Sequence, residues 1–212
     1  VKQCIYAAGI QDTIELPNTD FFLWHTYFHD VFKEGGFDIV IGNPPYVLIQ
    51  KFDDKKLVDY YKRHYSVASY KVDLYHLFIE HGVRILKKSG VISYINPSNF
   101  LTNNYTESLR RFLLEKQTLC SVINIEDNVF SASVNTCIIQ ATKGATDDYT
   151  IKYATANIQN SNLNIFTNST CSNRAYLEEE GAIIQPLGGD NEQILVKKIK
   201  AGSVELGALA KV

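Results

Sequence analysis

Methionine is absent from all 212 residues, position 1 included, and tryptophan occurs once. A chain opening on "VKQCIYAAG" and closing on "ELGALAKV" is expected to be a fragment of a longer polypeptide. An excess of basic residues is also missing. Twenty-one Lys and Arg against 23 Asp and Glu give a formal net charge of -2. No global positive field marks a nucleic-acid partner, so any such surface must be local or lie outside this chain. Cys4, Cys120, Cys137 and Cys171 are widely separated and form no Cys-x-x-Cys pair. That spacing argues against structural zinc and against a disulfide framework, and it fits a reducing compartment. His25, His29, His64, His76 and His81 are scattered, and no metal site is expected from them. No run of about 18 apolar residues and no signal peptide is found, so no membrane partner is expected.

What remains is ordinary globular material. Hydrophobic residues make up 45% and charged residues 21%, enough for one sizeable core. Gly35-Gly36 punctuates an aromatic-rich opening, and 37–41 reads as a short buried strand. Residues 53–65 are expected to be helical. In 70–88 the apolar positions Leu74, Leu77, Phe78, His81 and Ile85 predict an amphipathic helix, with Lys87 and Lys88 at its carboxyl end. "VISYIN" follows as a strand, Asn103 or Asn104 caps a helix through "YTESLRRFLLEK", and "SVINIED" and "TCIIQAT" form two more strands. Their connection is too short for a helical crossover, so they should pair antiparallel. A change of character near residue 145 divides the chain. Residues 1–36 lead into the sheet, 37–144 carry the main α/β unit, and 145–212 form a small mixed α+β extension with a short helix in "NEQILVKKIKAG". The alternation predicts an α/β layered fold, mostly parallel, with an antiparallel final strand.

The most specific stretch is "FDIVIGNPPYVLIQ", 37–50. A strand ends there on a polar amide, two residues without N–H groups, and an aromatic ring. Ligands of open α/β sheets bind beyond the carboxyl ends of the strands. Pro44 and Pro45 stiffen the turn, and the Asn43 side-chain oxygen and the Pro44 carbonyl are expected to converge. Two fixed acceptors suit an –NH2 group, and Tyr46 supplies a flat face for the ring that carries it.

"NPPY" after "FDIVIG" resembles motif IV of the amino-methyltransferases that use S-adenosylmethionine. It is most similar to the adenine-specific DNA methyltransferases of the TaqI type, especially those found in type II restriction–modification enzymes. "KVDLYHLFIEHGVRILKKSGVISYINPSNFL", "YTESLRRFLL" and "NVFSASVNTCII" resemble the segments that follow motif IV there, so the likeness runs over roughly 21–142. The resemblance implies the carboxyl-terminal half of a Rossmann-like methyltransferase fold, a bacterial cytoplasmic location, double-stranded DNA as substrate and S-adenosylmethionine as cofactor. It further implies that a flipped-out adenine is sandwiched by Tyr46 and Phe130, with its 6-amino group held by Asn43 and Pro44. Phe78 matches the ring that packs on the cofactor's adenine; plain core is its other reading. Asp20 matches an acidic contact to the cofactor.

The family's glycine-rich cofactor loop is not found before motif IV, and Gly9 alone cannot serve. Upstream and downstream domains of the same polypeptide are therefore expected partners, and the 212 residues alone are expected to be inactive. Two other functions stay open on the sequence. One is methylation of a protein glutamine or an RNA guanine, since such enzymes share "NPPY". The other is a non-catalytic remnant retained for DNA binding.

Overall fold

The computed structural model describes residues 23–126, 135–159, 162–186, 195, 198–199 and 201–204. Two short helices, α1 (Trp24–Tyr27) and α2 (His29–Lys33), precede strand β1 (Phe37–Gly42). Helices α3 (Lys55–His64) and α4 (Leu74–Ile85) lead to β2 (Leu86–Pro97). Helix α5 (Glu107–Arg111), continued by a π turn at Phe112–Lys116, leads to β3 (Gln117–Ile125) and β4 (Thr136–Lys143). Strands β5 (Thr150–Gln159) and β6 (Asn162–Ser172) and helix α6 (Asn173–Glu178) complete the described elements used below.

The strands form one sheet in the order β1-β2-β4-β3-β5-β6. β1 pairs parallel with β2, and β3 with β5; β4 runs antiparallel to both β2 and β3, and β6 antiparallel to β5. Four strands therefore share one direction and β4 and β6 oppose it, which matches the expected mixture. The expected antiparallel pair is β3 with β4, and β4 is inserted between β2 and β3. Residues beyond 145 continue the same sheet, because β5 adds alongside β3 from Ser121↔Lys152 to Ile125↔Ala156.

Local chemistry explains the element ends. The Asp54 carboxylate accepts from the N–H groups of Lys56 (2.9 Å) and Leu57 (3.1 Å), capping α3. Gly36 has φ +121°, and a Cβ there would meet the Ile85 carbonyl oxygen at 2.5 Å; only glycine lets the chain pass so close before β1. Gly82 does the same for α4, whose backbone lies against Ile92 and Tyr94 of β2. The core formed on this face includes Leu77, Ile79, Val83, Ile92, Phe100, Leu113, Val122 and Ile139.

Two expectations need correction. The helix expected over 70–88 spans only Leu74–Ile85, and Lys87 and Lys88 belong to β2. Leu86 already pairs with Phe37, the next partners are Ile39 and Val91, and the residues between bulge out around Ser89 at φ 63°. Lys87 there pairs with Asp38, whose carboxyl it holds below the usual range. The expected apolar stripe holds in part: Leu77 and Ile85 are buried, Leu74 and His81 are half-buried, and the buried side extends further round the helix. Tyr75, His76, Ile79, Glu80 and Val83 are buried, whereas Phe78 is 44% exposed. Glu80 is buried because its carboxylate accepts from Val67 N–H (3.0 Å), Ser66 (3.1 Å) and Arg84 (2.6 Å), a replacement for hydration that apolar periodicity cannot register. The helix expected in "NEQILVKKIKAG" falls mainly outside the described residues.

Candidate active site

β1 ends at Gly42, which lies against the Tyr94 ring, and the chain then turns through Asn43-Pro44-Pro45-Tyr46 at the carboxyl end of a parallel strand pair. Asn43 is exposed, Pro44 buried, Pro45 exposed and Tyr46 half-buried. The turn is held on its far side by a short antiparallel pairing with 72–74. Leu74 N–H donates to the Val47 carbonyl, Ile49 N–H donates to the Val72 carbonyl, both at 2.9 Å, and Leu48 bridges Asp73. The Tyr46 hydroxyl donates to the Ile95 carbonyl of β2 at 3.2 Å. Burial raises the phenol's pKa, keeping it a neutral donor. Among the described residues no donor reaches the Asn43 side chain or the Pro44 carbonyl. Of the two, only Asn43 is an exposed residue; Pro44 is buried.

Tyr75 stands behind this turn. Its ring lies 6.1 Å from that of Tyr46 at 80°, edge to face, and its hydroxyl donates to Asn99 Oδ1 at 3.4 Å. Asn99 in turn lines a cavity of about 570 Å³ with Ser98, Asn124, Asn135, Tyr153 and Gln185, beyond the carboxyl ends of β2 and β3. Asn96, next to the carbonyl that receives Tyr46, is wholly buried, and its Oδ1 has no partner among the described residues. Tyr75, Asn96 and Asn99 were not singled out from the sequence. Tyr75 sits within "VDLYHLF", but the stripe read there pointed to other residues.

Phe78 lies on α4 with 44% of its surface exposed. Asp20 and Phe130 lie outside the described residues. Among the described residues no group of His, Cys, Asp and Glu is arranged to hold a metal ion. No described helix is long and apolar enough to cross a membrane.

A sheet of this order, with a proline-stiffened turn at the carboxyl end of β1 and an antiparallel strand inserted beside β2, is the carboxyl-terminal half of a Rossmann-like methyltransferase fold. The match to protein families narrows the class. Residues 3–130 fit the family described as Eco57I restriction-modification methylase, and the chain belongs to that family.

Curated relatives agree. Type II restriction enzyme and methyltransferase RM.Eco57I of Escherichia coli is 36% identical over 117 residues, covering 53% of this chain and 12% of the relative. Type II methyltransferase M.BstVI of Geobacillus stearothermophilus is 31% identical over 106 residues, covering 50% of this chain and 18% of the relative. The chain thus spans under a fifth of the length of either. Among solved structures, the type I restriction–modification methyltransferase subunit from Streptococcus thermophilus aligns with a TM-score of 0.46 at 18% identity, over 92% of this chain and 36% of that one.

Proposed function

We propose that this chain is the base-handling half of a DNA methyltransferase of a restriction–modification system, acting on the exocyclic amino group of adenine. One observation carries the reading. A stiff turn at a strand's carboxyl end presents two acceptors with no donor from the described residues, beside an aromatic ring clamped to the neighbouring strand.

The target amine cannot be reached inside a duplex, so the base must leave the stack, at a cost of a few kcal/mol. The Tyr46 ring offsets that cost, because stacking on an aromatic side chain is worth about 1–3 kcal/mol per base. Phe130 is the second ring of the proposed clamp. Asn43 Oδ1 and the Pro44 carbonyl accept the two amine hydrogens. This fixes the nitrogen's orientation and stabilises the positive charge that grows on it as it forms its new bond to carbon. Pro45 keeps the turn stiff. The extra proton leaves to water afterwards, so no strong base is needed beside the turn.

S-adenosylmethionine fits this donor set, since an electrophilic methyl group is what a held, neutral amine can accept. When bound, the cofactor supplies that sulfonium methyl. On this chain, Phe78 would cover its adenine ring, and the exposed phenyl on α4 leaves a free face for it. Asp20 is a further proposed contact.

The test is transfer of labelled methyl groups by the intact protein to duplex DNA, followed by nucleoside digestion. N6-methyladenine is the expected product, and Asn43→Ala should lower the transfer rate at least 100-fold. A rate unchanged by that substitution removes Asn43 from the reaction, and label on cytosine or on protein removes adenine.

A further inference from the structure

We infer that Tyr70, Tyr105 and Lys71 form a landing surface for the DNA strand that flanks the target base. The inference rests on the function proposed above and adds a contact to it. The two phenol rings stack with centroids 5.1 Å apart and planes at 25°, yet Tyr70 is 64% and Tyr105 48% exposed. A stacked pair that stays this wet removes little apolar area from water, so its contribution to folding is small. Both rings keep a large share of their surface in solvent, Tyr70 the more.

The backbone that carries the pair is held in place. Tyr105 N–H donates to Asn103 Oδ1 at 2.9 Å, in a turn that Arg110 fastens through the Asn103 carbonyl at 2.7 Å. The Tyr70 carbonyl accepts from Gln50 Nε2 at 2.9 Å, and the adjacent Ser69 meets Ser108 at 3.0 Å. Rings carried by a backbone fixed beforehand lose less freedom when a ligand stacks on them.

Position and charge then select the ligand. Gln50 lies four residues beyond Tyr46, and 47–49 pair with 72–74, so this surface shares a wall with the candidate active site. Lys71 Nζ lies 4.9 Å from the Tyr105 ring centroid, and Lys71 forms no ion pair among the described residues. Exposed aromatic rings beside the Lys71 ammonium suit a polyanion that carries flat bases, with phosphate on lysine and base or sugar on tyrosine. In a chain of net charge -2, such a surface has to be local.

The experiment measures equilibrium binding of the intact protein to a duplex that the wild type methylates, over a series of salt concentrations. Tyr70→Ala with Tyr105→Ala should raise Kd about tenfold or more. Lys71→Ala, which leaves the rings in place and guards against misfolding of the double variant, should make the slope of log Kd against log salt shallower by about one. Single-turnover transfer at saturating DNA should stay within about twofold of wild type. Unchanged affinity and slope in both variants overturn the inference. So does a drop in unfolding temperature with affinity intact, which makes the surface a packing contact for another part of the protein. Loss of adenine methylation by the wild type, or indifference to Asn43→Ala, defeats the proposed function instead and is read in a separate assay.

Discussion

The Tyr46 hydroxyl donates to the Ile95 carbonyl at 3.2 Å, so the turn after β1 is fastened to the carboxyl end of β2 by this side chain. Holding the hydroxyl fixes the direction of the ring's long axis, and the edge-to-face contact with Tyr75 restricts rotation about it. Under the proposed function this one residue has two separable roles, anchoring and stacking.

Tyr46→Phe removes the anchor and keeps the face. A hydrogen bond of this kind contributes about 1 kcal/mol net, so methyl transfer by the intact protein should fall only a few-fold. Tyr46→Ala removes both. The lost stacking, about 1–3 kcal/mol, should appear as a further five- to hundredfold loss in kcat/KM. Equal effects of the two substitutions would mean that the ring does not stack on the base.

Arg110 is wholly buried and forms no ion pair among the described residues. Its guanidinium donates to the Phe100 carbonyl (2.6 Å), the Asn103 carbonyl (2.7 Å), Thr106 Oγ1 (2.8 Å) and the Gly181 carbonyl (2.7 and 2.9 Å). It joins the segment after β2 to the segment after α6. Arg110→Ala takes a donor from all three carbonyls; those of Phe100 and Asn103 still accept from Thr106, while that of Gly181 keeps no donor among the described residues, a loss on the order of 2 kcal/mol. Chemical denaturation should show that drop, and limited proteolysis should cut near residue 181 first.

Much of this was legible beforehand because local signals agreed with the fold. The proline pair after a β-branched run marked the turn at Asn43, and the short link between β3 and β4 dictated antiparallel pairing. What escaped depends on distant partners. The start of β2 at Leu86 is set by Phe37, which lies almost fifty residues away. The buried side of α4 is set by Glu80 finding Val67 and Ser66, and by Gly82 meeting Ile92 and Tyr94. Tyr75 escaped for the same reason, since its role comes from Tyr46 and Asn99.

Phe78 separates binding from stability. Because 44% of its surface is exposed, Phe78→Ala forfeits little buried area, and the unfolding temperature should move by no more than about 2 °C. If the ring covers the cofactor's adenine, the same substitution should weaken cofactor binding by the intact protein about tenfold, within the range of a lost aromatic stack. Isothermal calorimetry checks the affinity. Unchanged affinity would take Phe78 out of the cofactor site.

His76 gives the described core a pH dependence of known sign. Its Nδ1 accepts from Asp73 N–H at 3.4 Å, so the neutral ring carries its proton on Nε2, a buried atom with no partner among the described residues. Burial depresses its pKa from 6.5 to about 4. In the unfolded chain the ring takes up a proton as pH falls through about 6.5, while in the fold it stays neutral until about pH 4. The resulting stability is fully present above pH 6.5 and is lost progressively between about 6.5 and 4. At 1.36 kcal/mol per pKa unit it amounts to roughly 3 kcal/mol. Asp73 acts in the opposite sense, since burial raises its carboxyl's pKa and lowering the pH relieves it. Asp73 remains in a His76→Gln variant, so comparing that variant with the wild type isolates the imidazole. Denaturant titrations at pH 7 and pH 4.5 should show the wild type losing about 2–3 kcal/mol more than the variant. Equal losses would mean that His76 is protonated at no cost in the fold, and therefore reached by water.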